Sequence, residues 1–118
     1  MGAGIAAHCA NAGCKVLLLD IAKEGDDRSV IAKTAVEQMA KANPEMLMHK
    51  RNAKLISSGN IEDDLDKLSE VDWVIEVIIE NLDIKRKLYA SMSEHLGPRT
   101  IVSSNTSTLP LSELVEGM

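Results

Sequence analysis

A chain of 118 residues with 45% hydrophobic side chains and a mean hydropathy of −0.04 is long enough for one domain with a core of its own. A net charge of −5, no Phe and only 2% aromatic residues exclude the basic face and the stacking platforms that nucleic acids need, so no nucleic-acid partner is expected. No apolar run approaches the roughly twenty residues of a membrane span, and no basic segment opens the chain as it does in a secretory signal, which points to a cytoplasmic protein.

Gly2, Ala3, Gly4, Ala6, Ala7 and Ala10 make a helix from Gly2 to Asn11 that can lie close to a strand or a ligand, and Gly13 supplies its terminal turn. Lys15 to Asp20 carries the apolar run Val16-Leu17-Leu18-Leu19, which fits a central parallel strand covered on both faces and closed by an acid. Asp26 and Asp27 offer an N-cap to a second helix, marked by Ile31, Ala35, Met39 and Ala42 and ended by Asn43-Pro44. From Glu45 to Glu70 the pattern is less regular. Basic His49-Lys50-Arg51 precedes a short strand over Lys54 to Ser57, and Glu62-Asp63-Asp64 with Asp66 reads as a solvated face. Val71 to Val77 reads as another buried parallel strand containing Trp73, with Glu76 near its carboxyl end. Ile84, Leu88, Met92 and Leu96 then repeat at helical spacing up to Gly97-Pro98, with Asp83 in the first turn. Thr100 to Ser103 is the next strand, and the polar loop Ser104-Asn105-Thr106-Ser107 follows it.

Strand and helix thus alternate at least three times without repeat or linker, which selects an α/β fold with a Rossmann-type doubly wound parallel sheet. Right-handed crossovers put the carboxyl ends of such strands on one rim, where Asp20, Glu80 and Asn105 are expected together. The opening helix, the Gly13 turn, the apolar strand and the terminal Asp20 make the second half of a dinucleotide-binding βαβ unit, so the sheet is expected to be incomplete at its N-terminus and residues 1–118 to form a partial domain. Cys9 and Cys14 have the spacing of neither a disulfide framework nor a zinc set and are read as two buried thiols. His8, His49 and His95 form no ligand pattern with each other or with carboxylates, so no metal is expected.

Three stretches carry a family likeness in the same order: Met1-Gly2-Ala3-Gly4-Ile5-Ala6 with Ala7-His8, Asn11-Ala12-Gly13 and Val16 to Asp20; Asp72-Trp73-Val74-Ile75-Glu76-Val77-Ile78-Ile79-Glu80-Asn81 with Lys85; and Ser103-Ser104-Asn105-Thr106-Ser107. Together they resemble the L-3-hydroxyacyl-CoA dehydrogenases over nearly the whole chain. Gly2 stands for the last glycine of that family's G-x-G-x-x-G fingerprint. Met46 to Asn60 looks like the long bacterial type that serves fatty-acid β-oxidation.

The resemblance implies NAD as cofactor and oxidation of an L-3-hydroxyacyl-CoA to a 3-ketoacyl-CoA. It implies Met1 against the cofactor, Gly2 at the pyrophosphate, and Asp20 on both ribose hydroxyls, with a charge that repels a 2′-phosphate. Glu80 and Lys85 belong near the nicotinamide-side ribose, with Glu76 the less favoured partner. Asn105 belongs near the nicotinamide, and Ser107 is the contact to the substrate's 3-oxygen. The family's base is a histidine held by a glutamate. Neither that pair nor the helical substrate and dimerisation domain has a counterpart in these residues, so the chain alone is expected to be inactive and its parent a homodimer or a multifunctional complex. Lys41, Lys50, Arg51 and Lys54 can meet the phosphates of an acyl-CoA but read more simply as solvated. Each residue also has a plain alternative: Gly2 as a helix-start glycine, Asp20 as a turn cap, Glu80 and Lys85 as charges that do not face each other, and Ser104 to Ser107 as a loop-to-helix cap. For the whole chain the alternatives are a non-catalytic relative like the lens crystallin of this family, or an NAD-dependent two-domain dehydrogenase of the hydroxyisobutyrate type.

Overall fold

The structure, a computed structural model, describes residues 2–25, 27–41, 46–106 and 108–115, the side chains of Ala40 and Lys50 excepted. Two units divide the chain, Met1–Asp64 and Leu65–Met118, and each holds one two-stranded parallel sheet.

In the first unit, α1 spans Gly2–Asn11, β1 Val16–Asp20, α2 Val30–Lys41 and β2 Ile56–Asn60, with a 3-10 helix over Lys50–Leu55. The end of α1 shows why Gly13 is glycine. Its φ is 90°; its N–H donates to the Ala10 carbonyl at 3.0 Å and the Cys14 N–H to that of Cys9 at 3.1 Å, the paired bonds of a Schellman turn. Strand β1 runs in register with β2 from Val16↔Ile56 to Asp20↔Asn60. The core joins Ala6, Ala7 and Ala10 of α1 to Met39, Leu47 and Ile56, with Val16, Leu18 and Val36 packed against them. Small side chains on α1 let the helix backbone come close to the sheet.

Three expectations are corrected here. The strand expected over Lys54 to Ser57 begins at Ile56, because the 3-10 helix takes Lys50–Leu55, with the His49 Nδ1 accepting from the Arg51 N–H at 3.1 Å at its start. Val16 to Leu19 are half-buried rather than enclosed, since β1 pairs along one edge only in its two-stranded sheet. Cys14 is exposed, carried outward by the turn, and only Cys9 is partly buried. Asp27 accepts from the Ser29 N–H at 3.0 Å and pairs with Lys33, one turn ahead of the helix start. Met1, Asp26, Ala42 and Asn43-Pro44 lie outside the described residues.

In the second unit a 3-10 helix spans Leu65–Glu70, β3 Trp73–Glu76, α3 Leu82–Ser93, β4 Ile101–Ser104 and α4 Leu111–Leu114. Asn81 caps α3, its side chain accepting from the Ile84 N–H at 3.1 Å. Strand β3 pairs with β4 from Trp73↔Ile101 to Glu76↔Ser104. Alternation divides this sheet. Trp73 and Ile101 stand on one face, 58% and 63% exposed, with the indole N–H donating to Ser103 Oγ at 2.8 Å. Glu76 and Ser104 stand on the other. The strand expected to bury Trp73 therefore exposes it and buries its acid instead.

Helix α3 is rotated from the expected stripe. Its buried residues are Lys85, Tyr89 and Met92, while Ile84 is exposed and Leu88 half-buried. The cause is polar: facing Lys85 and Tyr89 inward brings both to the Glu76 carboxylate.

Candidate functional site

In the first unit the site candidates gather at the carboxyl ends of β1 and β2. Asp20 ends β1 with an exposed side chain whose Oδ1 accepts from the Ile21 N–H at 2.7 Å, and its carbonyl accepts from the Ile61 N–H at 3.0 Å. Its register partner Asn60 is fully buried. The Asn60 Oδ1 accepts from the backbone N–H groups of Glu62 and Asp63, and its Nδ2 donates to Ser29 Oγ and Asp63. Arg28 pairs with Glu62 and with Asp63, the latter at 2.7 Å. In the acidic run after β2, Glu62, Asp63 and Asp66 are exposed, as expected of a solvated face, and the first two also close a turn around Asn60.

Gly2 opens α1, whose first turn carries no acidic side chain. The first amides of a helix have no intrahelical acceptor, so this end offers donors, and the exposed Asp20 carboxylate offers an acceptor. Donors for a pyrophosphate on one element and an acceptor for ribose hydroxyls on the other suit a dinucleotide.

In the second unit a buried carboxylate organises the carboxyl end of the sheet. Glu76 Oε1 accepts from Tyr89 Oη at 2.9 Å and from Ser104 Oγ at 2.6 Å. Its Oε2 accepts from the Ile78 N–H at 2.9 Å and pairs with Lys85 Nζ at 3.1 Å. Lys85 is only 1% exposed and also faces Glu80 Oε1 at 3.4 Å. Glu80 in turn accepts from Thr106 Oγ1, which ties the loop after β3 to the loop after β4. Burial alone would push the Glu76 carboxyl up, but the hydrogen bonds from Ser104, Tyr89, Lys85 and the Ile78 amide outweigh it and hold Glu76 below the usual carboxylate range. The Tyr89 hydroxyl is pushed up to about 12, first by its burial and then by the Glu76 carboxylate it donates to, against an opposing contribution from Ser104. Among the described residues no buried side-chain nitrogen or oxygen lacks a partner, and no group of three His, Cys, Asp or Glu is placed to hold a metal.

Of the residues singled out from the sequence, Glu80, Lys85 and Asn105 come together in the second unit, the Asn105 N–H donating to the Glu76 carbonyl at 2.9 Å. Gly2 and Asp20 belong to the first. Met1 and Ser107 lie outside the described residues. One plain alternative changes: Glu80 and Lys85 do face each other. Glu76 holds the loop after β3 through the Ile78 N–H and also makes the shorter contact to Lys85. Tyr89, Ser104 and Thr106 were not foreseen. The available signal was an acid inside an apolar strand, which demands donors, and a Lys85-Tyr89-Met92 spacing that puts a cation and a hydroxyl on one helical face.

The family described as 3-hydroxyacyl-CoA dehydrogenase, NAD binding domain, matches residues 1–118. A probable 3-hydroxyacyl-CoA dehydrogenase of Deinococcus radiodurans is 48% identical over 118 residues, covering 99% of this chain and 34% of that one. A putative fatty acid oxidation complex trifunctional enzyme of Rickettsia felis is 47% identical over 119 residues, covering 100% of this chain and 16% of that one. This chain thus spans about a third or less of the length of these relatives. Among solved structures, the 3-hydroxybutyryl-CoA dehydrogenase of Escherichia coli aligns with a TM-score of 0.77 at 28% identity, over 97% of this chain and 24% of that one. A whole-length family match, on parallel strand pairs that carry an acid at the end of β1, leads to one conclusion: the chain is Rossmann-type α/β and belongs to the NAD-binding domain family of the 3-hydroxyacyl-CoA dehydrogenases, whose cofactor is NAD.

Proposed function

We propose that this chain is the NAD-binding portion of a dehydrogenase that oxidises L-3-hydroxyacyl-CoA to 3-ketoacyl-CoA in fatty-acid β-oxidation, and that it works within a longer protein that supplies the substrate domain. The family match over all 118 residues carries this reading. The R. felis relative's name favours a multifunctional assembly, a homodimer being the other arrangement, and a cytoplasmic location belongs to the same proposal.

In this reading the amides at Gly2 meet the pyrophosphate, and Met1 touches the cofactor. Asp20 accepts from both adenosine-ribose hydroxyls. Glu80 and Lys85 form the pair at the nicotinamide-side ribose, with Asn105 near the nicotinamide and Ser107 on the substrate's 3-oxygen. NAD supplies the hydride acceptor when bound; the residues here bind, orient and discriminate. An exposed acid at the end of β1 also repels a 2′-phosphate, which favours NAD over NADP.

The test is NADH formation by the full-length protein with L-3-hydroxybutyryl-CoA, in wild type and Asp20→Arg. Turnover with NAD is expected in the wild type, and the variant should raise KM for NAD about tenfold or more, since both hydroxyl contacts are lost. No turnover overturns the reading of the activity. Turnover with an unchanged KM in the variant removes Asp20 from the site.

A further inference from the structure

The end of α1 brings the chain's two cysteines together. Cys9 lies in the last turn of the helix, and Cys14 follows the Gly13 turn. Five residues separate them in sequence, yet the Cys14 N–H donates to the Cys9 carbonyl at 3.1 Å, the bond that folds a Schellman turn back on its helix. Standard backbone lengths then put their Cα atoms at most about 7 Å apart, and less where the hydrogen bond bends. A disulfide spans Cα atoms up to about 6.8 Å apart. These are also the two positions whose side chains commonly meet in such a turn. Asn11, between them, fixes the turn from outside. Its Nδ2 donates to the Met46 carbonyl at 3.0 Å, and its Oδ1 accepts from the Met48 N–H at 2.9 Å and from Asn52 Nδ2 at 3.1 Å. The two thiols differ in access: Cys14 is exposed, whereas Cys9 is partly buried.

We propose that Cys9 and Cys14 form a thiol–disulfide exchange site for small-molecule disulfides of the glutathione type, with Cys14 as the attacking thiol and Cys9 as the resolving one. The Cys14 thiolate attacks one sulfur of the small disulfide. A bond from Cys14 Sγ to that half forms, the small molecule's own S–S bond breaks, and the other half leaves as a thiolate. The Cys9 thiolate then attacks Cys14 Sγ, which closes the Cys9–Cys14 bridge and releases the second half. Two protein thiols are thereby oxidised, one small disulfide is reduced to two thiols, and the two protons lost from the cysteines end on the departing thiolates. An accessible cysteine beside a resolving one is the arrangement of redox-sensing sites. Because the turn is already folded, the second step is intramolecular and sees Cys9 at a high effective concentration. In a reducing compartment the pair rests as two thiols. The site lies at the opposite end of α1 from Gly2 and needs no NAD, so it stands apart from the dehydrogenase reading.

Oxidised glutathione is the probe. The full-length protein is incubated with it, remaining thiols are alkylated, and the tryptic fragment ending at Lys15, which carries both cysteines with no cleavage site between them, is weighed. In the wild type the fragment should be lighter by two hydrogens and retain no glutathione. Cys9→Ser should instead keep glutathione on Cys14, having no resolving thiol. Cys14→Ser should take up glutathione about tenfold more slowly than Cys9→Ser, since only the less accessible thiol is left. In urea, where the turn is lost, the glutathione disulfide needed for half conversion to the bridge should rise about tenfold, because the effective concentration of Cys9 falls. The proposal is overturned if the wild type retains the adduct as Cys9→Ser does, stays unmodified, or bridges only between two copies, which doubles the fragment. Equal rates for Cys9→Ser and Cys14→Ser overturn the assignment of attacking and resolving thiols. Equal conversion in the folded and the urea-unfolded protein overturns the turn as the cause of the pairing.

Discussion

Glu76 is the residue on which the second unit turns, because four donors meet one enclosed carboxylate. Its pKa is depressed on folding, so the native state favours the ionised form. The stability this contributes is present in full above the ordinary value of 4.5 and is lost as pH falls through the lower folded value. Denaturation midpoints measured down the acid range should fall more steeply in the wild type than in the Glu76→Gln/Lys85→Met variant; equal slopes would mean the carboxylate is not held by these donors. Tyr89 has the opposite sign. Its folded pKa is raised to about 12, so its contribution is present below the unfolded value of 10.0 and is lost as pH rises toward the folded one. It is the single tyrosine of the chain, so a spectrophotometric titration reads it directly in isolated material. A midpoint near 10.0 would contradict its burial.

At the scale of elements, sequence patterns located helices and strands better than they located faces. The bounds of α1 coincide with the expected ones because a local device, the Gly13 turn, ends it. Strand β1 was legible from four consecutive apolar residues. Strand β2 was misplaced because Ile56-Ser57-Ser58-Gly59-Asn60 carries one apolar side chain, and its pairing with β1, forty residues away in sequence, decides where it lies. The rotation of α3 was illegible for a similar reason: which face turns inward depends on Glu76, outside the helix. Likewise Asp20 is recognisable in the sequence as an acid closing an apolar run and Glu80 only through the family likeness, whereas Tyr89, Ser104 and Thr106 acquire meaning only once Glu76 is known to be enclosed. Gly59 shows how tightly β2 is seated. An added Cβ would fall 2.9 Å from Leu19 Cδ2 and 2.5 Å from Asp64 Oδ2, the oxygen that accepts from the Asn60 N–H. Gly59→Ala should therefore cost about 1–3 kcal/mol, read as a lower urea midpoint; a midpoint equal to the wild type's would show that β2 has slack the distances deny it.

At the scale of the whole molecule, two units hold their interiors by different physics. The first joins small alanines to Met39, Leu47 and Ile56. The second buries a charged pair, Glu76 and Lys85, as well as Leu65, Leu68, Met92 and Leu114. Asp20 belongs to one, and Glu80 and Asn105 to the other. Ser107, outside the described residues, completes the proposed substrate contact; Ser107→Ala in the full-length enzyme should lower kcat by about tenfold or more with NAD affinity little changed, and normal turnover would remove it from the reaction. Trp73 adds a property of another kind. It is the chain's only tryptophan, more than half exposed on the face of the second sheet opposite Glu76, with its indole nitrogen tied to Ser103. Such an indole emits at long wavelength and is open to collisional quenchers. Anything that covers this face will shift the emission to the blue and shield it, so the chain carries its own fluorescent reporter for whatever settles there, and no label needs to be added.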